Sequence, residues 1–270
     1  MLPAPSQAPT PPLLASLQKA SAAGALVVAH RGASEELPEN TLAAFRSARA
    51  AGAQVVEFDV HQTKDGAWVV MHDETCDRTT DAVVRFGRKG VRLDELSLAQ
   101  VRELDAGSWR GKQFAGEKVP TLEETLAAIA PAVPMVERKG GDAQALADEL
   151  RRLGALDKVL VQSFDWEWLA AFRKAAPDCV LGALGGKELT AARLAELGRL
   201  GVHFVHWDHR TLRLEDVSAL RGKVTWFGVY TVDPDLSLLG AAAFGCDFVT
   251  TNRPARLVAL RQQGRLARPR

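Results

Sequence analysis

Short apolar runs recur along the chain, and between them lie longer segments in which apolar residues return every three or four positions. The first pattern marks buried strands and the second marks helices with one apolar face. Strands are predicted at Leu26–His30, Val55–Val60, Pro134–Arg138, Val159–Ser163, Val180–Leu184, Val202–Trp207, Val224–Thr231 and Phe248–Thr251. Helices are predicted at Thr41–Ala51, Leu122–Ile129, Ala143–Leu153, Trp166–Ala175, Ala191–Leu200, Leu214–Leu220, Leu236–Phe244 and Pro254–Gln262. Asn40-Thr41 reads as a helix cap, and Thr121 with Glu124 three residues on reads as a capping box. Eight strands, each followed by a helix, imply an α/β chain folded as a (β/α)8 TIM barrel. An open, doubly wound sheet is the alternative, but no Gly-rich phosphate loop follows the first strand.

Two stretches depart from this rhythm. Residues 1–24 form a Pro-rich arm in which a short helix fits Pro12 to Ala23, so the barrel domain is expected to occupy residues 25–270. Residues 74–120, inserted after the second strand region, are charged, turn-rich and too long for an ordinary connection. Taken alone they read as a long, semi-structured loop. Because they leave the barrel just after His72, they are expected to form a small lid, with Trp109 and Phe114 as lid candidates for which packing is the plainer explanation.

Length and composition narrow the possibilities. A chain of 270 residues with 47% hydrophobic content can fill one large core. Its 34 basic and 33 acidic residues leave a formal charge of +1, which gives no reason to expect nucleic acid or an anionic membrane surface as partner. No segment supplies the roughly 20 apolar residues of a membrane span. Cys76, Cys179 and Cys246 lie far apart without metal-ligand or disulfide spacing, and the N-terminus lacks the basic region of a secretory signal, so a cytoplasmic setting is expected. Neither a heptad seam nor an apolar stripe indicates an oligomeric state.

The chemistry gathers between Val27 and Asp73. Glu57 and Asp59 in Val55–Val60 share one face of a strand, since side chains alternate with period 2. Two carboxylates on one buried face need positive charge between them, and a divalent cation with oxygen ligands is the usual answer. His30 closes the first strand, and His72 closes the short run Trp68–Met71, where two rings of near-neutral pKa suit proton transfer. Arg31 adds a forked donor suited to a phosphate oxygen. At the ends of later strands stand Glu137, a third candidate carboxylate, Lys139 on its face, and Gln162. His206 is a candidate pocket residue, whereas His61 and His209 are expected to be exposed.

The motifs HRG (His30–Gly32), PENT (Pro38–Thr41), Glu-x-Asp (Glu57, Asp59) and HD (His72-Asp73), in that order, resemble the glycerophosphodiester phosphodiesterase family. The resemblance continues through Leu104–Trp109, Gly116–Glu124, Val136–Lys139, Val229–Asp233 and Cys246–Pro254, which covers nearly everything after residue 25. It implies hydrolysis of a glycerophosphodiester to glycerol 3-phosphate and an alcohol, with His30 and His72 as the acid-base pair. His30 is taken as the acid and His72 as the base, although the sequence leaves that assignment open. It also implies one divalent cation, Mg²⁺ or Ca²⁺, held by Glu57, Asp59 and Glu137. Glu39 is expected to orient a histidine, Asn40 to cap the helix, and Tyr230 to stand as an aromatic wall where many relatives carry Trp. Asn252 stands where many carry Asp. Alternatives on the same barrel are a lysophospholipase D acting on longer lipids and a phosphoinositide-type phospholipase. A non-catalytic phosphate-binding barrel is disfavoured, because binding alone has no need of an acid-base pair.

Overall fold

The computed structural model describes residues 11–221 and 223–266. Nine strands are present among the described residues: β1 (Leu26–Ala29), β2 (Val55–Gln62), β3 (Trp68–Val70), β4 (Val133–Arg138), β5 (Leu160–Ser163), β6 (Val180–Gly185), β7 (Phe204–Asp208), β8 (Trp226–Tyr230) and β9 (Phe248–Thr251). The helices are α1 (Pro12–Ser21), α2 (Leu42–Ala50), α3 (Ala82–Phe86), α4 (Leu98–Glu103), α5 (Leu122–Ile129), α6 (Ala143–Arg152), α7 (Trp166–Ala175), α8 (Ala191–Leu200), α9 (Leu214–Arg221), α10 (Asp235–Ala243) and α11 (Pro254–Gln262). Eight strands pair in parallel, and β1 pairs with both β9 and β2, so the sheet closes on itself as the expected (β/α)8 barrel. β3 stands outside the barrel as an antiparallel partner of β2.

Alternation along the strands divides the core in two. Outward residues such as Val56, Phe58, Val60, Val136, Val161 and Val205 pack under the helices. Inward residues near the strand starts, including Val28, Val55, Met135, Leu160, Phe204 and Phe248, fill the bottom of the barrel, where Leu14 and Leu17 of α1 plug the opening. That helix falls within the segment expected to be a Pro-rich arm; residues 1–10 of that arm lie outside the described residues. Above this apolar floor the strand register sets Asp59 beside Glu137 and Glu137 beside Gln162, so the next interior layer is polar.

Expectation and structure differ at several points. β2 runs on to Gln62 because β3 pairs with its second half, which places Glu57 and Asp59 inside the strand and not at its end. His61, expected to be exposed, is 5% exposed; the β3 hairpin covers it and its Nε2 lies 3.2 Å from the His72 carbonyl. The insertion is more than a loose loop: Val69, Met71, Cys76, Ala82, Val91, Leu93, Leu96, Val101 and Leu104 form a small core of their own. Charged residues had masked those apolar positions, which are spread over α3, α4 and the turns around them.

Interior space is matched across neighbouring strands. A Cβ at Gly182 would run into the Phe204 ring on the paired strand, and that ring is fully buried against Phe248 at 5.7 Å. With no room for the ring to yield, Gly182→Ala is expected to lower stability by about 1–3 kcal/mol. Urea unfolding at equilibrium tests this, and an unchanged midpoint would mean that the floor is more plastic than its packing indicates.

Candidate active site

The site begins with two residues in the left-handed region. Arg31 has φ +55° and Asn40 has φ +58°, conformations that cost a non-glycine residue about 1–3 kcal/mol and persist only when the surroundings impose them. The turn at Arg31 points its backbone N–H at Glu57 Oε2, 2.9 Å away. Gly32 follows with φ +82°, and a Cβ there would sit 2.6 Å from the Ala44 backbone, so only glycine lets α2 approach this closely. Asn40 donates its amide to Asp59 Oδ2 at 2.8 Å, while its backbone N–H donates to the Arg31 carbonyl at 3.1 Å. Asn40 is therefore a clamp on Asp59, and the capping expected of it is done by Thr41, whose hydroxyl accepts from the Ala44 N–H.

Glu57, Asp59 and Glu137 converge in the interior with ligand oxygens within 4.8 Å of one another. Oxygens sharing one ion at about 2.1–2.5 Å lie no more than about 5 Å apart, so the spacing suits a single hard cation. Glu57 Oε1 is buried without a hydrogen bond, and Asp59 Oδ1 and Glu137 Oε1 face only the Lys139 ammonium. Arg31 Nε lies 3.3 Å from Asp59 Oδ2. Three buried carboxylates thus meet two cations, and the imbalance shows in their proton affinities. Burial, with Asp59 and Glu137 nearby, pushes Glu57 well above the usual carboxylate range. Burial and Asp59 raise Glu137 to about 7. Asp59 goes the other way: although burial raises it, Lys139, Arg31 and the Asn40 amide bring it below its ordinary value. The orphaned oxygens and hard donor set fit a divalent cation.

The two histidines sit in unlike settings. His30 Nδ1 is 2.7 Å from Asn252 Oδ1, a neutral partner; burial and the Arg31 guanidinium lower its pKa to about 4. His72 Nδ1 lies 2.6 Å from Asp73 Oδ1. Asp73 in turn holds Arg78, and Arg78 makes a two-pronged pair with Glu39. Glu39, expected to orient a histidine, bonds Arg31 at 2.8 Å and Arg78, and reaches His72 through Arg78 and Asp73.

His30, Arg31, Glu57, His72, Glu137, Lys139, Gln162 and Tyr230 line one cavity of about 180 Å³, joined by Phe164, Leu184, His206, Thr231 and Thr250. Asp59 and Glu39 support this wall from behind. Gln162 Oε1 lies 3.0 Å from His206 Nδ1, and burial lowers the pKa of that ring to about 3, so His206 is a neutral interior residue. Tyr230 donates its hydroxyl to the Gly185 carbonyl at 2.8 Å and turns its ring toward Phe164, 6.0 Å away. His209 is half-buried and bonds the Tyr230 carbonyl outside the cavity lining. Neither Trp109 nor Phe114 lines the cavity, and His72, just before the insertion, is the lining residue nearest to it.

The model of the glycerophosphoryl diester phosphodiesterase family matches residues 30–256. The chain belongs to this family. It is 32% identical over 247 residues to the glycerophosphodiester phosphodiesterase of Caldanaerobacter subterraneus subsp. tengcongensis, a match covering 88% of this chain and 98% of that protein. Among solved structures it is similar to a glycerophosphodiester phosphodiesterase from Agrobacterium tumefaciens (TM-score 0.75, 28% identity, 87% of this chain and 99% of that one). It is also similar to an Oleispira antarctica phosphodiesterase in complex with the product sn-glycerol-3-phosphate (TM-score 0.76, 25% identity, 89% and 96%). This family member carries features that the motifs did not single out: Phe164, 51% exposed at the cavity mouth, and the Arg78 and Asp233 side chains behind the two histidines. Phe164 follows a strand end, a position that could have flagged it; Asp233 acts on His30 at a distance in sequence that spacing does not reveal, and Arg78, close to Asp73 in sequence, lies in a turn with no period to read.

The raised proton affinity of Glu137 sets a pH dependence for the metal-free protein. Between about pH 4.5, its ordinary value, and about pH 7 the folded chain keeps a proton that the unfolded chain has released. The Glu137 contribution to stability therefore declines as pH rises through that window. In chelator-treated protein the stability gained by Glu137→Gln over the parent is expected to grow from pH 4.5 to 7, as read by urea midpoints. A difference that stays flat across the window would refute the assigned environment.

Proposed function

We propose that the chain hydrolyses glycerophosphodiesters to glycerol 3-phosphate and an alcohol such as choline, ethanolamine or glycerol. The observation that carries this reading is a carboxylate triad, two members of which line the same cavity as two histidines whose Nδ1 atoms are both tied off by side chains. Tying off Nδ1 leaves each Nε2 to exchange protons with the reacting groups. Family membership, the name of the Caldanaerobacter relative and the glycerol 3-phosphate bound to the Oleispira enzyme all support it.

A divalent cation, Mg²⁺ or Ca²⁺, held by Glu57, Asp59 and Glu137 would supply positive charge against the phosphoryl oxygens. Arg31 and Lys139, both in the cavity lining, share that role from the protein side. His30 is held neutral by its setting and by an uncharged partner, which suits it to accept the proton of the attacking hydroxyl. His72 has the Asp73 carboxylate to balance its ring when that ring carries a second proton, which suits it to protonate the leaving alkoxide. These roles reverse the assignment expected from the sequence, because the partner behind each ring, amide or carboxylate, is what separates them. Phe164 and Tyr230 offer the leaving alcohol or the glycerol an apolar side.

A second reading, turnover of lysophospholipids, draws on a groove of about 530 Å³ that shares Phe164 and Leu184 with the cavity and continues past Trp166. None of the described helices is long and apolar enough to cross a membrane, and the cytoplasm is the proposed location.

The purified protein, stripped with chelator and resupplied with Mg²⁺ or Ca²⁺, is expected to release glycerol 3-phosphate from glycerophosphocholine. His30→Ala and Glu57→Gln are each expected to lower kcat by about 10²–10⁴-fold. Release that ignores the chelator, or that survives both substitutions, would exclude the mechanism. Turnover of lysophosphatidylcholine in place of glycerophosphocholine would favour the second reading.

A further inference from the structure

Asn252, the residue after β9, faces His30 with Oδ1 at 2.7 Å from Nδ1 and faces Asp233 with Nδ2 at 2.7 Å from Oδ2. The two ends of a primary amide are nearly equal in size, so the neighbours must decide which end points where. Ser34 does not decide. Its Oγ lies 2.9 Å from Asn252 Oδ1 and 2.7 Å from the His30 carbonyl, and its one proton goes to Oδ1 when the amide oxygen faces it or to the carbonyl when the NH₂ does, a neutral hydrogen bond in either sense. Asp233 does decide, because a carboxylate offers acceptors alone. Its Oδ1 takes the Asn252 backbone N–H at 2.8 Å and the Thr251 hydroxyl at 3.0 Å, which leaves Oδ2 for the amide NH₂. The reversed amide would set a carbonyl oxygen against Oδ2, acceptor to acceptor, and would turn its NH₂ on His30 Nδ1.

We propose that Asp233 is a positioning residue for the reaction: by fixing the sense of the Asn252 amide it keeps the proton of neutral His30 on Nδ1 and leaves Nε2 bare toward the cavity. The proposal rests on the reading of His30 as the general base, since only a bare Nε2 can take a proton from the attacking group. Asp233 is absent from the cavity that holds Glu57, Glu137 and His72, and lines with Asn252 a neighbouring pocket that meets it at His30 and Arg31; its hydrogen-bonded path to His30 runs through Asn252. The relay sets the direction of a hydrogen bond without placing a charge on the ring. His72 differs in this respect, because its partner is the carboxylate of Asp73.

The test uses substitutions that preserve shape. In Asp233→Asn the backbone N–H and the Thr251 hydroxyl still claim the side-chain oxygen, so the new NH₂ faces Asn252 and turns that amide around. His30 then meets a donor at Nδ1 and carries its proton on Nε2. The expected result is a fall in kcat of about 100-fold with KM within about twofold, the loss of a general base without loss of binding. The ¹⁵N spectrum of the ring, assigned with His30→Gln, is expected to change from the Nδ1–H to the Nε2–H form. In the double variant Asp233→Asn/Asn252→Asp, the amide introduced by the first change donates to the carboxylate introduced by the second, whose other oxygen accepts from His30 Nδ1–H. Its kcat is expected to recover to within about tenfold of the parent, and the Nδ1–H signal to return. Asp233→Asn protein with the parent's kcat and ring signal would overturn the proposal. So would a double variant that regains the Nδ1–H signal without regaining kcat. If the parent releases no glycerol 3-phosphate at all, the proposed function fails, while the ring spectra of parent and Asp233→Asn still decide whether the relay sets the tautomer.

Discussion

Three carboxylates cannot lie side by side in a barrel interior without compensating charge, because each loses its hydration and repels the other two. Glu57, Asp59 and Glu137 are within 7% exposure and face inward from adjacent strands, so the repulsion is built into the register of β2 and β4. Much of the surrounding geometry answers it. The left-handed turn at Arg31 delivers a backbone N–H to Glu57, the left-handed Asn40 delivers an amide to Asp59, and Lys139 leans across Asp59 and Glu137. Strain in the two loop residues is offset by these contacts, which also account for Gly32, since the turn brings α2 within backbone contact. What remains is an orphaned oxygen on Glu57 and a single lysine shared by the facing oxygens of its two neighbours, and a hard cation is the natural complement to that set.

The same barrel gives its two histidines opposite surroundings. His30 comes from the end of a core strand and is backed by an amide, so its ring is held neutral and oriented without being charged. His72 follows β3 just before the insertion and is backed by Asp73, with Arg78 and Glu39 behind it. His61, beneath the hairpin, meets the His72 carbonyl and fixes where that backbone lies. A pair of identical side chains thus acquires unlike settings from their partners, and those partners come from the end of β9, from the segment after His72 and from the β1–α2 loop.

Much of this was legible before the fold was known. The barrel followed from eight strand-like runs alternating with helical periods, because the burial of a parallel strand on both faces is written locally as an unbroken apolar run. The candidate metal carboxylates were legible from Glu57 and Asp59 sharing a strand face inside such a run, since that pairing has no cheap structural explanation. Apolar residues in the insertion went unread for the opposite reason: α3 and α4 are too short to display a period, and their core exists only once they meet.

What the chain's order of residues could not express was which group stands behind which. Asn40 reads as a helix cap next to Thr41, and only the approach of β2 turns it into a clamp on Asp59. Glu39 lies nine residues from His30 but binds two arginines, one of them 39 positions away. Asn252 and Asp233 are more than 200 residues from His30, yet they set the sense of its hydrogen bond. Residue types and local periods encode the strands, the helices and the inventory of chemical groups, because those depend on neighbours in sequence. Proton affinities, amide orientations and the division between the histidines depend on charges and donors brought together by closure of the barrel, and they were decided there.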